Sequence, residues 1–63
     1  MRYSVCAVDL AGCTWEVASV GTPSLALEML RAQQFVMKGK GTAYCVDDES
    51  GEVVDGQLEE MCL

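Results

Sequence analysis

Two stretches of the chain share one pattern, Cys6-Ala7-Val8-Asp9-Leu10-Ala11-Gly12 and Cys45-Val46-Asp47-Asp48-Glu49-Ser50-Gly51. Each reads Cys, apolar, any residue, Asp, two turn residues, Gly. An Asp that opens a four-residue turn and a Gly that closes it mark a type I turn followed by a left-handed glycine, a common hairpin loop. The Asp carboxylate can bond the turn backbone, and Gly adopts positive φ without steric cost. The pattern predicts one β-hairpin towards each end of the chain. The space between them holds a single helix.

Residues 2–8 and 13–20 are rich in Val, Tyr, Trp and Thr and read as the first two strands. In a loop with a bulge at Gly12, Val8 faces Thr14 and Ala7 faces Trp15. Directly opposed residues share a face. Tyr3, Val5, Ala7, Trp15 and Val17 are then expected on one face, the more apolar and so the one packed on the helix, and Ser4, Cys6, Val8, Thr14, Glu16 and Ala18 on the other. Thr22 is a good N-cap and Pro23 suits the first helical position, so a helix is expected over 23–38, closed by Gly39. Leu25, Met29, Ala32 and Val36 form its apolar stripe at the 3.6-residue period, with Ala26, Leu30 and Met37 beside it. Strands are expected over 42–47 and 52–55. The first hairpin's register places Tyr44, Val46 and Val54 against the helix and Ala43, Cys45, Asp47, Val53 and Asp55 away from it. Residues 57–63 read as one frayed helical turn carrying Leu58, Met61 and Leu63. The predicted fold is α+β, a single domain over 1–63: ββαββ, an antiparallel-rich four-stranded sheet with a single helix packed across one face. In element order alone this resembles the small immunoglobulin-binding domains of streptococcal surface proteins. None of their binding residues has a counterpart here, and fold-level likeness implies no function.

Composition narrows the function classes. The net charge is −6, from ten acidic and four basic residues. Nucleic acid is densely negative, so direct binding to it is not expected. No run approaches the ~18 to 20 apolar residues of a membrane span. Met1-Arg2-Tyr3-Ser4-Val5 enters a strand pattern with no secretory signal before it, which predicts a cytoplasmic chain with free thiols.

No residue set reads as a catalytic centre. There is no histidine, which removes the commonest general base. No cysteine stands at the Thr22–Ser24 helix start, where a thiol would be activated. Cys6, Cys13, Cys45 and Cys62 lack the close pairs of a structural zinc site. The acidic run 47–52 fails the calcium-loop template, because counting back from Gly51 puts Val46 first. Lys38-Gly39-Lys40-Gly41 lacks the long glycine loop of a phosphate site and follows a helix C-terminus, the wrong dipole end for an anion. The expectation is a non-enzymatic chain with no cofactor and no metal.

A 63-residue chain buries only about 60% of its unfolded surface, yet 51% of these residues are hydrophobic. That excess predicts a protein-binding module, first of all a homodimer. Its interface is expected on the helix-free sheet face, at Cys6, Val8, Ala18, Cys45 and Val53. The alternative reading is an acidic regulator or inhibitor that occupies a basic site on a nucleic-acid-handling protein.

Overall fold

The structure is a computed structural model and describes residues 2–61. Strands β1 (Tyr3–Asp9), β2 (Thr14–Val20) and β3 (Gly41–Asp47) form one antiparallel sheet in the order β2-β1-β3. Helix α1 (Pro23–Val36) joins β2 to β3 across one face. A 3₁₀ turn (Asp55–Gln57) leads into a one-turn helix, α2 (Leu58–Met61). The expected four-stranded sheet with a single helix is therefore corrected to three strands and two helices, and the ββαββ likeness falls with the fourth strand.

The first hairpin follows from its turn chemistry. Asp9 Oδ1 accepts the Ala11 and Cys13 amides at 2.9 Å each, and Gly12 sits at φ +89°. Val8 faces Thr14 and Ala7 faces Trp15, as the loop type requires. Further along, a bulge intervenes: Cys6 faces Glu16 while Val5 faces Ala18, leaving Val17 as the extra residue. A bulge reverses the facing of everything beyond it. Ala18, expected on the helix-free face, thus shares the helix side with Val5, as Val20 does with Tyr3.

The second turn differs from the first by one residue. Asp47, not Asp48, does what Asp9 does: its Oδ1 accepts the Glu49 amide at 2.9 Å, and its carbonyl accepts from Gly51 at 2.7 Å. Asp48 instead accepts the Ser4 hydroxyl at 2.8 Å. This longer loop shifts the register by one and exchanges the faces of β3. Val5 faces Cys45 and Ala7 faces Ala43, all four buried, so Cys45 lies in the core and not on the helix-free face. Tyr44 and Val46 face away from the helix with Cys6 and Ser4.

The fourth strand fails because a side chain displaces the backbone. The ladder begins, with Asp47 N donating to Glu52 O and Val54 N to Cys45 O, both at 2.9 Å, and a single bridge joins Val46 and Val53. At the next step Asp55 Oδ1 takes the Cys45 amide at 2.5 Å, and the chain turns into its 3₁₀ segment. That turn folds Val54 and Leu58 into the core with Tyr3, Val5, Ala26, Leu30, Ala43 and Cys45. Leu58 is fully buried, where a frayed end was expected. Cys62 and Leu63 lie outside the described residues.

Helix α1 starts as its sequence directs, with Thr22 Oγ1 accepting the Leu25 amide at 3.2 Å and Pro23 in the first turn. It ends at Val36, two residues earlier than expected, because the Met37 carbonyl is taken by Lys40 and Gly41 in a tight turn. Gly41 has φ +156°, and a Cβ there would stand 2.0 Å from the Val8 carbonyl oxygen. Only glycine lets β3 start against β1. The helix buries Ala26 and Leu30, and Met37, which caps it, is buried too. The stripe expected to face the core is rotated onto the helix flank: Leu25 and Val36 are 49% and 56% exposed, and Ala32 is exposed.

Candidate functional site

The thiols do not converge. Cys6 lies on the helix-free face opposite Tyr44, Cys45 is buried on the other side of the sheet, and Cys13 is exposed at the first turn; all three are free. Burial pushes the Cys45 thiol up to about 11, with Asp55 adding to it. Burial also raises Cys6, against a hydrogen bond from the Tyr44 hydroxyl that pulls the other way. A raised pKa removes the thiolate that nucleophilic or metal chemistry needs. No group of three or more metal-binding side chains occurs among the described residues.

The charged motifs are engaged by the fold. In the Lys38–Gly41 turn, the Lys38 amide donates to Phe35 O, and those of Lys40 and Gly41 to Met37 O. That leaves no cradle of amides for an anion. Of the acidic residues after β3, Asp47 and Asp55 hold backbone amides and Asp48 holds Ser4. Glu59 pairs with Arg31 across the mouth of an open groove of about 320 Å³ between α1 and the segment 55–59. Both members of that pair are largely exposed, so solvent screens it and it contributes little. No helix among the described residues is long and apolar enough to cross a membrane.

Two apolar surfaces remain. The first is the helix-free sheet face, where Cys6 and Val8 of β1 adjoin Tyr44 and Val46 of β3. Val53, bridged to Val46, is 59% exposed beside them. Cys6, Val8 and Val53 of the expected interface thus lie on this face, while Ala18 and Cys45 do not. Thr14, Glu16, Ser19 and Thr42 interleave polar groups, and Ser4 is closed off by Asp48.

The second surface follows from the rotation of α1, which differs from the one its stripe predicts. The helix turns Leu27, Leu30, Arg31 and Gln34 towards the segment 55–59, beyond β3. Its opposite flank, on the β2 side, leaves Leu25, Ala32 and Val36 exposed, while Met29 packs against the edge of the core. On β2, Trp15 stands on the helix side opposite Ala7. It is 45% exposed and not packed under the helix as expected. The 25–29–32–36 spacing was visible in the sequence; nothing in it told whether that stripe or the neighbouring 26–30–37 stripe met the sheet. No family model matches the chain, and no curated protein or solved structure matches it.

Proposed function

We propose that this chain is a small non-enzymatic protein-binding module that acts by associating with a second copy of itself. The observation that carries the reading is the amount of large apolar side chain left outside a single core. Trp15, Leu25, Phe35, Val36 and Val53 are all exposed in a domain with one sheet and one spanning helix. A small monomer has little reason to leave so many large apolar side chains in water on more than one face. A partner layer supplies the burial that 63 residues cannot supply alone.

The acidic-regulator reading draws on a different fact: seven of the ten acidic residues fall within 47–60, with no basic residue among them. Three of the seven (Asp47, Asp48 and Asp55) are oriented by bonds within this same chain, so the run is organised for the fold as much as for a basic partner. Self-association is therefore the stronger proposal. Light scattering of the wild type at micromolar concentration tests it. A mass of twice the 6.8 kDa chain is expected, and a monomer mass across that range overturns it.

A further inference from the structure

Self-association leaves open which surface is used, and the distribution of edges and charges selects one. We infer that two copies join antiparallel through β2, with the Leu25–Val36 flanks of their α1 helices facing each other across a two-fold axis. This rests on the self-association proposed above and names its geometry.

Among the described residues the sheet has one uncovered edge. The outer edge of β3 is closed by the segment 52–55 through the Glu52, Val54 and Asp55 hydrogen bonds. Strand β2 is the other edge of the order β2-β1-β3 and has no outer neighbour among the described residues. An antiparallel strand can pair with its own copy about a two-fold axis, giving one continuous six-stranded sheet. A bulge is a common device for protecting an edge. The bulge at Val17 does not block this one, because residues on either side of it still find partners on a matching face. In the proposed register Trp15 would fall opposite the second copy's Ala18, whose methyl leaves room for the indole, and Thr14 opposite its Ser19; the two Glu16 carboxylates would then lie near each other at the axis, on the exposed helix-free side where solvent screens them.

The helix layer fits the same axis. With 14 residues, α1 runs roughly 21 Å, close to the length of the seven-residue β2 beside it. Leu25 therefore lies at the Val20 end of β2 and Val36 at the Trp15 end. Helix α1 packs on β1 and β3 alike and less on β2, so about four strand spacings, roughly 19 Å, would separate the two helices, against 8–10 Å for helices in direct contact. The surplus is the width that Trp15, Leu25 and Val36 would fill from both copies. The flank carries no charged residue, and a standard interface needs about 800 Å² per partner. That is about a fifth of the 4013 Å² this domain exposes.

Charge decides between the two apolar surfaces. Each copy carries −6, concentrated in residues 47–60 on the far side of β3. Joining through β2 holds those segments at opposite ends of a six-stranded sheet, at least about five strand spacings or 24 Å apart. That is roughly three Debye lengths at physiological salt, so their repulsion is screened. The helix-free face has its most exposed apolar group, Val53, directly beside the Asp47–Glu52 turn. A contact centred there brings two acidic turns together.

Trp15 is the one tryptophan of the chain and reports on the interface without alteration. Dilution of the wild type from micromolar to nanomolar concentration should shift its emission to the red as the dimer dissociates. Leu25→Glu should weaken dimerisation by about tenfold or more while circular dichroism stays unchanged, as a charge at a desolvated contact does. Val8→Asp, on the helix-free face, should leave the dimer intact. A dimer whose tryptophan emission ignores dissociation, or one that Val8→Asp breaks and Leu25→Glu spares, overturns this geometry while leaving self-association standing. A monomer mass for the wild type overturns both.

Discussion

Leu58→Ala tests whether the C-terminal turn belongs to the core. Leu58 is fully buried, with Tyr3, Val5, Leu30 and Val54 in the same cluster. Truncating a buried Leu removes its transfer free energy and leaves a partly unrelaxed cavity, together about 2.7–5 kcal/mol. A frayed, exposed Leu at the same position would cost less than about 0.5 kcal/mol. The whole stability expected of 63 residues is about 3–9 kcal/mol, so the substitution removes a third of it or more. With a urea m-value of about 1 kcal/mol/M for so small a domain, the midpoint should fall by about 3 M, and the weakest case is unfolded in buffer. Urea titration followed by far-ultraviolet circular dichroism, at fixed protein concentration, reads this directly. A midpoint within about 0.5 M of the wild type would show that residues 55–61 do not close the core, and that the covering of β3's edge is not stable either.

Gly41→Ala should cost more than about 3 kcal/mol, since its Cβ would overlap the Val8 carbonyl at 2.0 Å; a folded variant by circular dichroism would contradict that close approach. Asp55→Ala should cost about 1–3 kcal/mol and lose hydrogen-exchange protection at the Cys45 amide, while Asp55→Asn, which keeps an acceptor, should retain most of both. Trp15→Ala, measured on monomer at low concentration, should cost only about 1–2 kcal/mol, because nearly half of the side chain is already in water; a loss of about 4 kcal/mol would place Trp15 inside the core. Stability should fall between about pH 9 and 11. There the unfolded chain releases the Cys45 proton while the folded chain, with its thiol raised to about 11, holds it. Cys45→Ala should flatten that part of a pH series of urea midpoints, and a slope unchanged by the substitution would assign it elsewhere, first to Tyr3, whose phenol burial also raises.

What the sequence makes legible here is local chemistry, and what it hides is rotation and register. The Asp9–Gly12 turn sits in one strong pattern, and the Ala7–Trp15 and Val8–Thr14 pairs follow from it. The Thr22-Pro23 start of α1 is equally explicit. The second turn holds two adjacent aspartates, and either could cap it. Choosing Asp48 over Asp47 moves β3 by one residue, which is enough to send Cys45 and Tyr44 to the wrong faces. The bulge at Val17 carries no glycine or proline to announce it, yet it moves Ala18 across the sheet. The fourth strand is lost to a single carboxylate, Asp55, whose competition with backbone carbonyls for the Cys45 amide is a tertiary event. Both apolar surfaces depend on these shifts: Cys6, Val8 and Val53 lie on the helix-free face, with Tyr44 and Val46 and not Cys45 and Ala18 as their neighbours there.

One asymmetry links the fold to the proposed assembly. The chain after β3 does not extend the sheet. It crosses the outer edge of β3 and packs Leu58 under α1, so one side of the helix layer is filled from within the chain. The segment that fills it also carries most of the negative charge, so that side is closed by both covering and repulsion. Nothing of this chain, among the described residues, plays the same part over β2. Its edge is unpaired, its helix-side surface is aromatic and aliphatic, and the nearest helix flank is uncharged. A sheet finished on one side and unfinished on the other has a single direction in which to grow, and in the proposed dimer a second copy, presenting the same unfinished side, would complement it without any further sequence.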